Sequence, residues 1–370
     1  MTGKLRTAFG LLATAVLVAA CSSSATPVPS AAPSSSLKIG VVTDVGRVDD
    51  KNFNQYSYEG AKAAAAALGT TAEYVVPKDA SDYTTDIQSF VDKNYNVIVT
   101  VGFNLGDATI KAAKANPNIW FIAVDVAPCV DATGAPDSTF TCAGDASKLL
   151  PKLIGITFQE DQAGYLAGIV AASVSKSGTI GQLGGINNNP AVVRYLQGYQ
   201  LGAASYNPSI KVVTDFFSTG DLGKAYGDPG FGKTFSDQFI TQTGVDVLFQ
   251  VAGGTGNGAL DAACAANIIG IGVDVDEYLS YPTADKCIVT SAEKHLSSAV
   301  NQTITAISKG TAAGGVSKFN AANDGIGISP FHNTAITIPG DVQGKLDAAL
   351  LQMKAGTLKT CPTTCGTWAP

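Results

Sequence analysis

The chain has 370 residues, of which 45% are hydrophobic and 15% charged, with a formal net charge of −6 and a pI near 4.9. This length and apolar content are enough to bury two hydrophobic cores. The acidic balance argues against a nucleic-acid partner, which needs a basic face, and no segment after residue 20 is long and apolar enough to span a bilayer.

The amino-terminal segment predicts export and a lipid anchor. A short basic region and an apolar run lead to the sequence VAAC, which ends at Cys21 and has the pattern of a bacterial lipobox. We expect residues 1–20 to be a lipoprotein signal peptide and Cys21 to carry the lipid, with an ordinary cleaved signal peptide as the alternative. Residues 21–36 are almost all Ser, Ala, Pro, Thr and Val, which predicts a flexible tether. The folded part should then lie on the extracytoplasmic face of the cell membrane.

The remaining cysteines predict disulfides. They form an even set in a chain expected to be exported: Cys129, Cys142, Cys264, Cys287, Cys361 and Cys365. Sequence alone allows 15 pairings. Proximity favours Cys129–Cys142 and Cys361–Cys365, which leaves Cys264–Cys287 by elimination. A metal site is the rival interpretation, but the chain has only two histidines and no paired CxxC spacing, so we expect no metal and no cofactor.

The mature chain alternates candidate strands and helices in two consecutive series. The first series has strands at 38–43, 71–76, 97–101, 120–125 and 154–157, with helices at 54–68, 81–94 and 105–116. The second has strands at 179–184, 211–217, 245–251, 268–273 and 286–290, with helices at 162–174, 191–206, 233–243 and 258–266. Each series is too short to close an eight-stranded barrel, so the pattern predicts an α/β protein with two parallel-sheet lobes.

Two later segments, 291–310 and 341–354, are predicted to be helical, and crossings between the lobes should form a hinge beside a ligand cleft. The expected boundaries give one lobe residues 37–157 and about 291–312. The other lobe takes residues 158–290 and about 313–356, and residues 357–370 form a C-terminal tail.

Several motifs together resemble one known family. DVGRVDDKNFNQYSYEGAK near the start, FIAVDV, FQEDQAGYLAG, VAGGTGNG, IGVDVDEY and IVTSAEKH follow one another in the order found in the basic membrane protein family of lipoproteins. The resemblance covers essentially the whole mature chain. It implies a type I periplasmic-binding-protein fold, in which two Rossmann-like lobes joined by a hinge close over one small molecule.

The same resemblance implies a set of ligand-binding residues. In the nucleoside receptors of this family, aromatic rings sandwich the base, an asparagine and an aspartate grip it, and an aspartate and a lysine hold the ribose hydroxyls. Matched by motif, the first ring and the asparagine are Phe53 and Asn54, and the base aspartate is Asp125. The ribose groups are Asp274 and Lys294.

The second stacking ring is expected at Tyr226, with Phe217 and Phe231 as rivals, because the segment STGDLGKAYGDPG departs from the family pattern. A ring stacked on a base contributes about 1–3 kcal/mol. Asp44 directly follows the first strand and is a further candidate, because ligands of open α/β sheets bind beyond the carboxyl ends of the strands.

Each candidate also has a structural interpretation. Phe53 could fold under its own loop, Asn54 could cap the following helix, Asp125 could cap a strand-end turn, and Lys294 could be a solvated surface lysine. Asp50 is expected to brace the loop rather than to bind ligand.

The glycine run at 253–258 raises the possibility of a phosphate site. It has neither the GxxxxGK[ST] lysine nor the GxGxxG spacing, so close approach of the backbone at Gly254 to an uncharged ligand is the better interpretation.

The sequence and this resemblance together imply a lipid-anchored solute-binding protein of an ABC importer that binds a nucleoside, with a purine nucleoside as the expected ligand. Its partners would be permease subunits with a cytoplasmic ATPase. Two alternatives are a binder of a free sugar or autoinducer-type ligand and a nucleoside hydrolase. The hydrolase is disfavoured because the acids around Asp44, Asp49 and Asp50 are interrupted by glycine and arginine and lack a defensible metal-ligand arrangement, and because no GxSxG elbow is present.

Overall fold

The computed structural model describes residues 37–44, 46–218 and 220–368. The predicted signal peptide, Cys21 and the tether lie outside the described residues. Within those ranges, none of the helices combines the length and apolar character needed to cross a bilayer.

Two six-stranded sheets form the framework. The strands, in chain order, are β1 (Ile39–Val42), β2 (Ala72–Val75), β3 (Val97–Val101), β4 (Trp120–Val124), β5 (Leu153–Phe158), β6 (Thr179–Gly184), β7 (Lys211–Phe216), β8 (Val247–Val251), β9 (Ile269–Asp274), β10 (Ile288–Lys294), β11 (Gly315–Phe319) and β12 (Ile326–Ile328). The first sheet has the order β11-β5-β4-β3-β1-β2 and is parallel throughout. The second has the order β12-β10-β9-β8-β6-β7, with only β12 antiparallel.

Helices cover the faces of the sheets and connect their strands. They are α1 (Phe53–Ala67), α2 (Tyr83–Asp92), α3 (Gly106–Ala115), α4 (Ala146–Leu149), α5 (Glu160–Val174), α6 (Pro190–Tyr206), α7 (Pro229–Thr243), α8 (Gly253–Ala265), α9 (Glu277–Ser280), α10 (Leu296–Ser308) and α11 (Val342–Lys354). The central strands β1, β3 and β8 are buried at every residue, as expected for parallel strands covered on both faces. The predicted two-lobed α/β architecture is confirmed.

The chain crosses between the two sheets three times. It passes from β5 to β6 through α5, returns from β10 to β11 through α10, and crosses again between β11 and β12. Helix α10 packs closely against α1, since a Cβ on Gly60 would lie only 2.5 Å from the carbonyl oxygen of Ser297.

The late part of the chain differs from the expectation in two places. The predicted helix at 291–310 is wrong at its start, because Ser291–Lys294 continues β10 and α10 begins only at Leu296. This segment is extended because it pairs with β9 on one side and β12 on the other, and such pairing overrides local preference. In addition, residues 313–319 were expected in the second lobe, whereas β11 pairs with β5 and completes the first sheet.

Three disulfides are present, at the pairs that proximity and elimination favoured. They join Cys129 to Cys142, Cys264 to Cys287 and Cys361 to Cys365. The second ties the end of α8 to the start of β10, within one lobe.

Candidate functional site

A cavity lies between the two sheets, beyond the carboxyl ends of their strands. It encloses about 590 Å³ of space between the lobes, part of it open to solvent. Seven of the residues expected to bind ligand line it: Asp44, Phe53, Asn54, Asp125, Tyr226, Asp274 and Lys294. Gly254 does not line the cavity, although the adjacent Gly253 does.

Two aspartates occupy corresponding places in the two lobes. Asp125 follows β4 and Asp274 ends β9, and these strands hold the same position in their sheets. Both residues have left-handed backbone, with φ of +60° and +66°. Aspartate adopts this conformation more readily than most residues, and it turns each chain sharply at the end of its strand.

Lys294 joins these two aspartates into one buried cluster. Its Nζ lies 2.6 Å from Asp125 Oδ2 and 3.3 Å from Asp274 Oδ1, and the three side chains are only 3%, 7% and 10% exposed. Burial alone would lower the pKa of Lys294, but Asp125, Asp274 and Glu160 outweigh it and hold that pKa above the ordinary value. The ammonium group is therefore charged.

This cluster joins two aspartates for which the resemblance implied different roles, Asp125 with the base and Asp274 with the ribose. Lys294 contacts both carboxylates. Burial raises the pKa of Asp274, Lys294 opposes that rise, and the hydroxyl of Tyr195 lies 3.2 Å from Asp274 Oδ1. By contrast, Asp125 Oδ1 is buried and has no hydrogen-bond partner among the described residues, so it remains available to a donor in the cavity.

The loop before α1 is organised by Asp50. Its carboxylate accepts hydrogen bonds from the backbone N–H groups of Asn52, Asn54 and Gln55, at 2.8, 3.0 and 3.1 Å. It also accepts from Asn54 Nδ2 at 3.1 Å. Asn54 Oδ1 in turn accepts from the N–H of Asp44 at 3.1 Å. The amide of Asn54 thus shapes the loop in addition to facing the cavity.

Asp44 is held from its own lobe. Tyr83 donates its hydroxyl hydrogen to Asp44 Oδ1, and Asn104 Nδ2 lies 3.4 Å from Oδ2. A Cβ on Gly102 would come within 2.7 Å of the same Oδ2. These contacts fix the carboxylate at the cavity wall.

Two aromatic rings enter the cavity from opposite lobes. Phe53 begins α1, and Lys294 Nζ lies 4.8 Å from its ring centroid. Tyr226 lies on a short π-helical turn, Gly223–Gly227, with its ring against Gly185, where a Cβ would be 2.3 Å from the ring. Asn189 Nδ2 donates to the Tyr226 hydroxyl at 3.2 Å, which fixes the ring.

The rival aromatics do not line the cavity. Phe217 and Phe231 pack with Phe235 in a cluster within the second lobe, with ring centroids 5.2 to 6.5 Å apart. Both rings are therefore part of the packing of that lobe.

Sequence reasoning missed several lining residues. Phe103 follows β3 in the turn GFNLG, and Asn189 and Tyr195 belong to the start of α6. The sequence could have revealed Phe103, because this aromatic residue follows the end of a predicted strand. Tyr195 gave none, because an aromatic on a helix with many buried residues is indistinguishable from core.

The one cluster of possible metal ligands among the described residues is Asp161 with Cys361 and Cys365. Both cysteines are joined in a disulfide and offer no thiolate.

Comparison with known proteins identifies the family. The model of the Bmp family, described as ABC transporter substrate-binding protein PnrA-like, matches residues 37–347. The chain belongs to the Bmp family. Members of this family are substrate-binding proteins rather than enzymes, act outside the cytoplasm, and work with permease and ATPase subunits.

Relatives of known name support this membership. The chain is 30% identical over 336 residues to the ABC transporter nucleoside-binding protein BmpA of Lactococcus lactis subsp. cremoris, covering 86% of this chain and 88% of the relative. It is 28% identical over 319 residues to basic membrane protein D of Borreliella burgdorferi, covering 85% and 83%.

Solved structures share the fold of this Bmp protein. A solute-binding protein of an ABC transporter system from Aeropyrum pernix K1 superposes with a TM-score of 0.73 at 21% identity, covering 87% of this chain and 92% of that chain. A second one, from Conexibacter woesei, gives 0.64 at 20% identity, covering 87% and 98%. The predicted type I solute-binding fold is confirmed.

Proposed function

We propose that this Bmp protein binds a nucleoside, with purine nucleosides as the preferred ligands, and presents it to an ABC permease from a lipid anchor at Cys21. The observation that carries the nucleoside proposal is the pairing of two chemistries in one cavity. Aromatic rings from both lobes suit a flat base, and the Asp125–Lys294–Asp274 cluster suits vicinal hydroxyl groups. The family relative that carries a nucleoside-binding name supports this assignment.

The charge of the cavity favours an uncharged ligand over a nucleotide. Four carboxyl groups, from Asp44, Asp50, Asp125 and Asp274, line it together with the single ammonium of Lys294. That ammonium is already paired with two of them. A phosphate group would therefore meet an excess of negative charge in a poorly solvated site.

Calorimetry tests the ligand class. We expect adenosine, guanosine and inosine to bind, uridine to bind more weakly because its ring is smaller, and adenosine monophosphate to bind at least about tenfold more weakly than adenosine. Tight binding of ribose or an autoinducer-type sugar, with no binding of any nucleoside, would contradict the proposal. Cleavage of a nucleoside by the purified protein would revive the hydrolase alternative.

The lipid anchor has a separate test. Cells that express the chain should incorporate labelled fatty acid into it, and Cys21→Ser should abolish both the label and recovery in the membrane fraction. Equal labelling of the wild type and the variant would contradict the anchor without affecting the nucleoside proposal.

A further inference from the structure

A second set of contacts joins the lobes beside the ligand cavity. Asn52 belongs to the loop of the first lobe, and its Nδ2 donates to Glu277 Oε1 of the second lobe at 2.7 Å. Neither residue lines the cavity, and both are fully buried. A second bond of the same kind runs from Asn257 Nδ2 on α8 to the carbonyl oxygen of Asp50 at 3.1 Å.

The side chain of Asn52 has no other structural task among the contacts of the described residues. It lies at the N-terminus of α1 yet makes no capping hydrogen bond to that helix. Its amide is instead directed across the cleft, so the bond to Glu277 exists only when the lobes are closed.

The second lobe holds Glu277 ready to receive this bond. Gln250 Nε2 and the N–H of Val273 donate to Glu277 Oε2 at 2.7 and 2.9 Å, which leaves Oε1 for Asn52. Ser291 accepts from the backbone N–H of Glu277 at 3.1 Å. The acceptor is thus positioned whether or not the lobes are closed.

The glycine run at 253–258 helps to build this receiving side. A Cβ on Gly256 would lie 1.6 Å from Gln250 Oε1, so only glycine leaves room for the side chain that holds Glu277. Asn257 in the same run supplies the second bond across the cleft. The run therefore contributes to the contacts between the closed lobes.

We propose that Asn52 and Glu277, assisted by Asn257, form a closing latch that sets the affinity for every ligand by stabilising the closed lobes. The latch residues are positioning residues, because they act through lobe closure and not through contact with the ligand. Since apparent affinity scales with the population of the binding-competent state, loss of the latch lowers affinity by one factor for all ligands.

The test uses Asn52→Leu, which keeps the branched shape of the side chain but removes the donor, in the full chain. We expect the dissociation constants of adenosine, guanosine and inosine to rise about tenfold, equivalent to about 1.4 kcal/mol, by factors that agree within about twofold. Dissociation should accelerate more than association slows, because the bond forms after encounter. Asn116→Ala, which removes a hydrogen bond within one lobe, is the matched control and should leave affinity unchanged.

Small-angle scattering of the empty protein gives an independent measurement. The radius of gyration of Asn52→Leu should exceed that of the wild type without ligand. An unchanged radius overturns the latch, as do unchanged affinities or losses that differ between nucleosides.

If Asn52→Leu does not fold, Asn257→Ala replaces it, with an expected uniform loss of about threefold; no loss, or an uneven one, overturns the latch. The affinity measurements rest on the proposed nucleoside function, but the scattering comparison does not. Failure to bind any nucleoside therefore contradicts the proposed function and leaves the latch to be decided by scattering.

Discussion

The two lobes have the same strand order but build their sides of the cavity differently. The first lobe uses the loop that leads into α1, whose shape near the helix depends on one carboxylate, Asp50, and its hydrogen bonds to nearby N–H groups. The second lobe relies mainly on regular elements, with Tyr195 on α6 and Lys294 on β10. A wall carried by helices and strands is fixed by the core, whereas a wall carried by a loop can vary without disturbing the sheet.

Among the proposed variants, a substitution in the Asp125–Lys294–Asp274 cluster should have the largest effect. Lys294→Met leaves Asp125 and Asp274 buried without their cation. We expect nucleoside affinity to fall more than about 100-fold and the free energy of unfolding to drop by about 3–5 kcal/mol, the size found when a buried pair loses one partner. Calorimetry and urea unfolding measure both.

Lys233→Met is the control for this change, because Lys233 pairs with Asp237 on an exposed helix face and should contribute only about 0.3–0.5 kcal/mol. Full affinity in Lys294→Met would show that the cluster is not part of the ligand site.

Asp125 and Asp274 occupy corresponding places in the two lobes, and their variants test whether both residues bind the same part of the ligand. Asn tolerates the left-handed backbone at both positions better than Ala, so Asp125→Asn and Asp274→Asn isolate the charge. Because both aspartates lie at one end of the cavity, we expect each variant to weaken adenosine by about 10- to 100-fold and adenine by less than about threefold. Equal losses for adenosine and adenine in Asp125→Asn would instead return that residue to the base, as the sequence suggested.

The two rings, Phe53 and Tyr226, compare the contributions of the two lobes to the cavity. Phe53→Leu and Tyr226→Leu should each weaken nucleosides by roughly 5- to 150-fold, the range of base stacking, while ribose binding changes little. Tyr226→Phe removes the hydroxyl group, with its bonds to Asn189 and to the backbone of Ile186, but keeps the ring, and should cost about threefold or less. Phe217→Leu is the control within the second lobe. It should lower the free energy of unfolding by about 1 kcal/mol and leave affinity unchanged, and a clear loss of affinity would contradict the choice of Tyr226.

A smaller effect should appear in the pH dependence of stability. Burial raises the pKa of Glu277 to about 8 from an ordinary 4.5, against opposition from the hydrogen bonds of Val273, Gln250 and Asn52. Between these values the folded chain binds a proton that the unfolded chain has lost. The free energy of unfolding should therefore fall as pH rises from about 5 to about 8, by at most about 1.4 kcal/mol per pH unit.

Glu277→Gln should flatten this slope in urea unfolding series. Burial also raises the pKa of Glu160, to about 7, so a residual slope of the same sign should persist below pH 7. If Glu277→Gln and the wild type show the same pH dependence of the free energy of unfolding, Glu277 is not the group responsible for it.

The sequence predicted correctly those parts of the molecule in which a local run of apolar residues is also buried in the fold. Continuous apolar runs revealed the central strands, and the residues just after them, Asp125 and Asp274, proved to line the cavity because the ends of parallel strands share one edge. The short edge strands β11 and β12 were missed, since their existence depends on partners far away in the chain. The bond from Lys294 to Asp125 spans 169 positions and crosses between lobes, and no local spacing encodes it.

The three crossings of the chain have a consequence for biogenesis. The first sheet is completed by β11, which ends at residue 319, and the second by β12, which ends at residue 328 of 370. A chain threaded amino-terminus first through a translocation channel would therefore lack an edge strand in both sheets until nearly nine-tenths of it had emerged. We expect this topology to delay completion of both sheets until most of the chain has emerged.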